Sequence, residues 1–239
     1  MKRFITLLAT SLTTGLLCSS AIAQLDVAAL ERAMANPDRP AADKERDASR
    51  QAPAVLNFFG VAPGMTVLDI NASAGWYTEV LSYAVGSNGT VYMQNRPGGR
   101  AEEAANARAA RLSNVTQIAD ITDAPAGSVD FAITGLNFHD FHNSDPARAQ
   151  QILAAIASVL KTGGILGVLD HEGTPGADNV ALHRIAFDDA VKALIQSGDF
   201  ALVGASDILD NPADDHTVGP FDPSLGRNTD RLVLKLMKL

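Results

Sequence analysis

Thr66-Val-Leu-Asp-Ile70, then Asn71-Ala-Ser-Ala-Gly75, then Trp76-Tyr-Thr-Glu-Val-Leu-Ser-Tyr83 is the stretch on which the reading of this chain turns. Five mostly apolar residues after the turn-forming Pro63-Gly64 read as a buried parallel strand. A tight loop of small and polar residues follows, and Trp76 opens a helix. The acid Asp69 at the strand end faces a helix N-terminus, where outward N–H groups suit a polar ligand. Asn71 tolerates left-handed backbone, and Ser73 and Gly75 are small enough for close approach. On these residues alone an ordinary βα turn is an equal explanation.

The same grammar repeats downstream. Thr90–Gln94, Val115–Ile118, Val129–Gly135 and Ile165–Leu169 read as strands. Ala101–Leu112 and Ala147–Lys161 read as helices between them, the second from the apolar stripe Ile152, Ile156, Val159 and Leu160. Val180–Ser197 reads as the last long helix, with His183 and Arg184 on it. Phe200–Ala205 and Arg231–Leu236 close the chain as two strands joined by a long polar loop. Alternating strands and helices predict a doubly wound, mostly parallel α/β sheet. Two terminal strands with no helix between them predict one antiparallel strand near its edge. Ligands of such sheets bind outside the carboxyl ends of the strands, so the residues after each strand are the functional candidates.

Upstream, residues 24–60 read as a helical arm preceding an α/β domain over 61–239. A helix is expected over Ala41–Gln51, with Asp43, Arg46, Asp47 and Arg50 on one face. Two readings of that face stand: a solvated salt-bridge surface, or an arm that closes over a ligand with an arginine turned to the site. Residues 1–23 read as a signal peptide: Lys2-Arg3, an apolar run too short to span a bilayer, and the cleavage site Ala21-Ile22-Ala23. The expectation is a periplasmic or secreted protein beginning at Gln24. The leader carries the only cysteine, Cys18, so the remainder has neither thiol nor disulfide. It also carries two bases and no acid, so its loss takes the formal charge from −8 to −10. That charge argues against nucleic acid or an anionic membrane as partner and leaves a small molecule as the expected substrate.

Further stretches carry a resemblance. Phe58-Phe-Gly-Val-Ala-Pro-Gly-Met-Thr-Val-Leu-Asp69 with Gly75-Trp-Tyr-Thr-Glu79 resembles class I S-adenosylmethionine (SAM) methyltransferases. Asn137-Phe-His-Asp140, Leu160-Lys-Thr-Gly-Gly164, Leu169-Asp-His171, Asn211-Pro-Ala-Asp-Asp-His216, Phe221-Asp-Pro and Thr229-Asp230 resemble one branch, a family of predicted, often exported bacterial methyltransferases. The likeness runs from about Pro37 to the C-terminus. It implies a seven-stranded, Rossmann-like sheet and SAM as cofactor. On it, Asp69, Asn71, Ser73 and Gly75 would hold the methionine part, Gln94 or Asn95 the ribose diol, and Asp120 the adenine amino group. Asp120 reads equally well as a turn cap. The sequence departs from the general SAM pattern twice. Only Gly75 survives of three alternate loop glycines, and the second strand ends in the amides Gln94 and Asn95 where an acid is usual.

His139, Asp140, His171, Asp215 and His216 are the candidates for the reacting side. If the fourth and fifth strands are neighbours, about 4.8 Å apart, their ends bring His139 and His171 to one cleft. Histidine beside a carboxylate suits proton transfer near neutral pH. The same set could hold a metal with N/O ligands, but no H-x-x-x-H or H-E-x-x-H spacing occurs, and no residue is assigned to one. Asn143-Ser-Asp-Pro146 suggests that His139 and His142 sit in a loop. His183 reads as a buried or capping histidine, and Trp76 and Tyr77 as core packing or ligand stacking. The alternative to an enzyme is a non-catalytic ligand-binding protein that kept the fold and lost SAM.

Overall fold

Alternate residues of the central strands feed two separate cores, and this places the helices. The computed structural model describes residues 24–239; the expected leader lies outside the described residues. The arm holds four short helices: α1 (Val27–Met34), α2 (Ala41–Lys44), α3 (Asp47–Arg50) and α4 (Ala52–Phe59). Then come β1 (Thr66–Ile70), α5 (Trp76–Val85), β2 (Thr90–Gln94), α6 (Glu102–Arg111), β3 (Val115–Ile118) and β4 (Val129–Gly135). The second half runs α7 (Phe138–Ser144), α8 (Pro146–Val159), β5 (Leu160–Gly173), β6 (Ile185–Ala186), α9 (Phe187–Ile195), β7 (Phe200–Ser206) and β8 (Arg231–Lys238).

Seven strands lie in the order β3-β2-β1-β4-β5-β8-β7, with the two-residue β6 paired to the end of β5. All pairings among β1 to β5 are parallel, and β8 runs antiparallel to both β5 and β7. This is the expected mostly parallel sheet with one reversed strand next to its edge.

Leu68 and Ile70 of β1 and Ala132 of β4 join the core under α8 and α9, built on Leu153, Ile156 and Leu194. Val67, Phe131 and Ile133 face the other way, toward Leu56, Phe59, Val80 and Leu81 of α4 and α5. Both faces are covered, so the strands read as near-continuous apolar runs even though they keep the two-residue alternation.

The arm is held to the second face by charge as well as packing. Arg108 of α6 pairs at once with Asp43 of α2, at 2.5 Å, and with Glu79 of α5. Arg39 makes a two-pronged contact with Asp47, at 2.6 and 2.9 Å. These pairings divide the single helix expected over Ala41–Gln51 into α2 and α3: Asp43 turns inward to Arg108 while Asp47 turns back to Arg39.

Two other expectations are corrected. The segment after β4 is a helix, α7, capped at its end by the turn into Asp145, which accepts from Ala147 N–H at 3.1 Å to start α8. The last long helix begins at Phe187 instead of Val180. Arg184 sends its fully buried guanidinium to Asp214, at 2.8 and 2.9 Å, and to the carbonyls of Glu172 and Val218. A helix through residues 180–184 would turn that side chain away from the loop it anchors.

Candidate functional site

The loop after β1 keeps the backbone of a glycine loop without its glycines. Asn71, Ser73 and Gly75 have φ of 50°, 55° and 77°. A left-handed conformation costs a non-glycine residue roughly 1–2 kcal/mol, least for Asn, so two such residues in alternation mark a loop held to shape by its surroundings. The holders are the two amides at the end of β2. Gln94 accepts from Asn71 N–H at 2.9 Å and donates to the Ala119 carbonyl at 2.8 Å. Asn95 accepts from Ser73 N–H at 2.8 Å and donates to the Ser73 carbonyl at 2.9 Å. Both amides therefore hold the loop backbone, while Gln94 also borders the cleft beside Asp120 and Asn95 the hollow beside Asn106.

Gly75 also answers a packing requirement. A Cβ there would lie 2.5 Å from Met93 Cε and 3.0 Å from Arg108 Cδ. The residue is small for packing under the loop.

Asp69 is buried and accepts from the Thr78 hydroxyl at 2.6 Å. Burial pushes its carboxyl up to about 6, against the Thr78 bond and the charges of Arg50 and Arg108. Above it, the Arg50 guanidinium of α3 lies 4.5 Å from the Trp76 ring centre and 5.4 Å from that of Tyr77. It has no hydrogen-bond or carboxylate partner among the described residues. Trp76 donates its indole N–H to the Asp43 carbonyl at 3.0 Å. Of the two readings of the arm, the one that turns an arginine to the site describes Arg50.

Four hollows meet around this loop, one of them, of about 500 Å³, between Asn71, Ser73, Asn95 and Asn106. Arg50, Asp69, Ser73, Tyr77 and Gly135 line another of about 120 Å³. Across Ile70 and Asn71 a cleft of about 510 Å³ is lined by Gln94, Asp120, Ile121 and Phe141. On the other side of Arg50 lies a cavity of about 290 Å³ between His171, Phe221, Arg227 and Arg231. Asp120 is exposed at the cleft beside Ile121 and Phe141, and Asp123 accepts from its N–H at 2.9 Å.

The histidines converge only in part. His139 and His171 have ring centres 5.7 Å apart, because β4 and β5 are neighbours. Asp170, a fully buried residue of β5, binds the His139 N–H and its Nδ1, each at 2.6 Å. The other ring nitrogen, Nε2, faces Asp140 Oδ1 at 3.1 Å. Burial opposes a charge on His139, but Asp170 and Asp140 outweigh it and raise its pKa. His171 is driven the other way. Burial and the nearby charges of His139, Arg231, Arg184 and Arg50 push it down to about 2, so it is neutral, with Nδ1 bonded to the Thr229 hydroxyl at 2.6 Å.

Asp215 and His216 do not join this pair. Asp215 is exposed and accepts from the Thr217 hydroxyl at 2.6 Å. His216 binds Asp230 at 2.9 Å. The other ring nitrogen of His216 faces the Thr174 hydroxyl at 3.4 Å, so both residues are engaged by groups other than His139 and His171. His183 corrects another expectation: it is half exposed, its backbone is left-handed at φ 51°, and its Nδ1 stands 3.2 Å from Asp140 Oδ1. Sequence reasoning also missed Asp170 as the partner of His139. The available signal was an acid directly after the apolar run of a strand, one residue before a candidate histidine.

No family model matches the chain, and no curated protein does. Solved structures do. A SAM-dependent methyltransferase from Aquifex aeolicus superposes with a TM-score of 0.61 over 90% of this chain and 100% of that one, at 20% identity. The fold is that of the class I SAM-dependent methyltransferases. An arsenic(III) SAM methyltransferase from Chlamydomonas reinhardtii matches with a TM-score of 0.58, covering 88% of this chain and 73% of its own, at 18% identity. An O-methyltransferase from neocarzinostatin biosynthesis, solved with SAM and a naphthoic acid, matches with a TM-score of 0.58 at 13% identity, covering 83% of this chain and 55% of its own. At these identities the methyltransferase likeness is one of fold, and it agrees with the strand order and the reversed β8.

Proposed function

We propose that the protein is a SAM-dependent methyltransferase-like enzyme acting on a small, anionic molecule outside the cytoplasm. The observation that carries the cofactor reading is the left-handed backbone at all three alternate positions of the β1 loop, Asn71, Ser73 and Gly75. Strain of that kind persists where the surroundings enforce it, as they do at ligand loops.

The residues present fit SAM at both ends. Arg50, over the rings of Trp76 and Tyr77 and without a carboxylate partner among the described residues, suits a carboxylate in the hollow beside Asp69. The exposed carboxylate of Asp120 suits an exocyclic amine in the cleft beside Ile121 and Phe141. The middle is weaker, since the ribose hydroxyls meet no carboxylate from β2. SAM, when bound, supplies an electrophilic methyl group. The chain's own part is to position the acceptor. Arg227 and Arg50 beside the 290 Å³ cavity attract an anion, His171 offers it a neutral ring, and Asp170 fixes the orientation of His139, whose ring centre lies 5.7 Å from that of His171. The leader reading of residues 1–23 supports export.

A second reading, a ligand-binding protein that kept the fold and lost SAM, is favoured by the commitment of Gln94 and Asn95 to the loop backbone. Titration calorimetry with SAM and S-adenosylhomocysteine separates the two. Saturable binding of either at micromolar to sub-millimolar concentration is expected; heat of dilution alone at millimolar ligand overturns the cofactor reading.

A further inference from the structure

The face of His139 turned away from Asp170 has a use that methyl transfer does not require. His139 Nε2 lies 3.1 Å and His183 Nδ1 3.2 Å from the same oxygen, Oδ1 of Asp140. One ligand atom from each of the three residues falls within a 4.8 Å set. Ligand atoms held ~2.1 Å from one ion stand roughly 3.0 to 3.4 Å apart in octahedral or tetrahedral geometry. Both of these contacts are in that range.

We propose that His139, Asp140 and His183 form a binding site for one divalent first-row transition-metal ion, with Asp170 orienting His139. Three further features point the same way. Asp170 occupies Nδ1 of His139 and leaves Nε2 as the outward atom, the carboxylate–histidine arrangement that fixes a metal ligand's tautomer. His183 adopts a left-handed backbone that a surface histidine has no need of, and this aims its ring edge-on at His139, with centres 5.9 Å apart. Asp140 and His183 are each 55% exposed at the side chain, so an ion there reaches solvent. Two imidazoles and one carboxylate select zinc, iron(II), cobalt or nickel over magnesium and calcium, which take oxygen ligands. With three protein ligands, at least one position stays open to water or to an oxygen of the substrate.

The site stands on geometry independent of the methyl donor, so its failure and that of the cofactor reading are separable. The test is calorimetric titration of the chelator-treated, tag-free protein with Zn²⁺, with Co²⁺ absorption as a second readout. One equivalent of ion is expected. His183→Ala and Asp140→Asn change exposed groups and retain the fold; each is expected to weaken binding at least ~10-fold and to remove the cobalt bands. Asp170→Asn, through a second contact, is expected to weaken it ~10- to 100-fold. His216→Ala is expected to leave it unchanged. Wild-type protein that takes up no Zn²⁺ or Co²⁺ at sub-millimolar concentration overturns the proposal, as does His183→Ala binding as tightly as wild type.

Discussion

Asp170 grips His139 twice, its two carboxylate oxygens taking the backbone N–H and the ring Nδ1 at 2.6 Å each. The same carboxylate also accepts from the His171 N–H at 2.8 Å. One buried acid thus sets the ends of β4 and β5 relative to each other. Replacing it by Asn turns an amide N–H₂ toward groups that donate. We expect Asp170→Asn to cost ~1–3 kcal/mol in urea unfolding, the usual penalty for a buried donor left unmade. We also expect the imidazole ¹⁵N resonances of His139 to lose their single-tautomer pattern. A merely structural acid would leave those resonances as they are.

Asp69 provides a pH test. Its folded pKa, about 6, lies above the unfolded 3.8. The folded state therefore binds the proton more tightly, and the resulting stabilisation is full below pH 3.8 and lost as pH rises through 6. The neutral variant Asp69→Asn is expected to be more stable than wild type at pH 8, by something on the order of 1–3 kcal/mol, with little gain at pH 4. Denaturation curves at the two pH values decide it. A variant equally destabilised at both would show that the Thr78 contact, and not burial of charge, dominates.

The loop backbone can be tested by moving glycine in and out. Ser73 is exposed, left-handed, and uses only its main chain in hydrogen bonds, so Ser73→Gly should stabilise by ~0.5–1 kcal/mol. Gly75→Ala should destabilise by ~1–3 kcal/mol, since its Cβ meets Met93 and Arg108 as well as a strained φ. Equal, small effects at both positions would count against the packing role of Gly75.

Arg50 should discriminate between ligands. Arg50→Gln removes a charge that has no carboxylate partner among the described residues, so the fold should hold. SAM, which carries a carboxylate, should bind at least ~10-fold more weakly. Methylthioadenosine, which lacks the amino-acid portion, should bind as before. A loss that is equal for both ligands would place Arg50 in the packing of Trp76 and not in recognition.

The leader is checked by mass. Protein recovered from the periplasm of its host should begin at Gln24. A species that retains Met1, or one with lipid on Cys18, would contradict the cleavage read at Ala21-Ile22-Ala23.

Much of the fold was legible in the chain because it rests on short-range rules. Thr66–Ile70, Thr90–Gln94 and Val129–Gly135 are apolar runs bounded by turn residues, and a run of that kind between helices has few ways to pair. The meeting of His139 and His171 followed from the same rules, since each directly follows one of two adjacent strands. The extent of α9 was not legible. The run from Val180 to Ser197 has helical composition, but Arg184 gains more from Asp214 and two carbonyls in a distant loop than from continuing a helix.

The sequence by itself determined the mostly parallel sheet, the reversed strand near its edge, and the placement of candidate residues after the strands, all consequences of hydrophobic period and chain connectivity. Only the tertiary structure decided which polar groups are free. Gln94 and Asn95 turned out to be bonded to the loop they border, Asp215 to Thr217 and His216 to Asp230. Arg50 was left over the rings of Trp76 and Tyr77 with no carboxylate partner among the described residues, and His183 was brought to Asp140. The reason is physical. Burial of apolar residues is non-directional and is written into local pattern, whereas a hydrogen bond or ion pair exists only at a defined distance and angle between atoms, and side chains on different elements, such as Asp140 and His183, acquire that geometry only when the chain has folded.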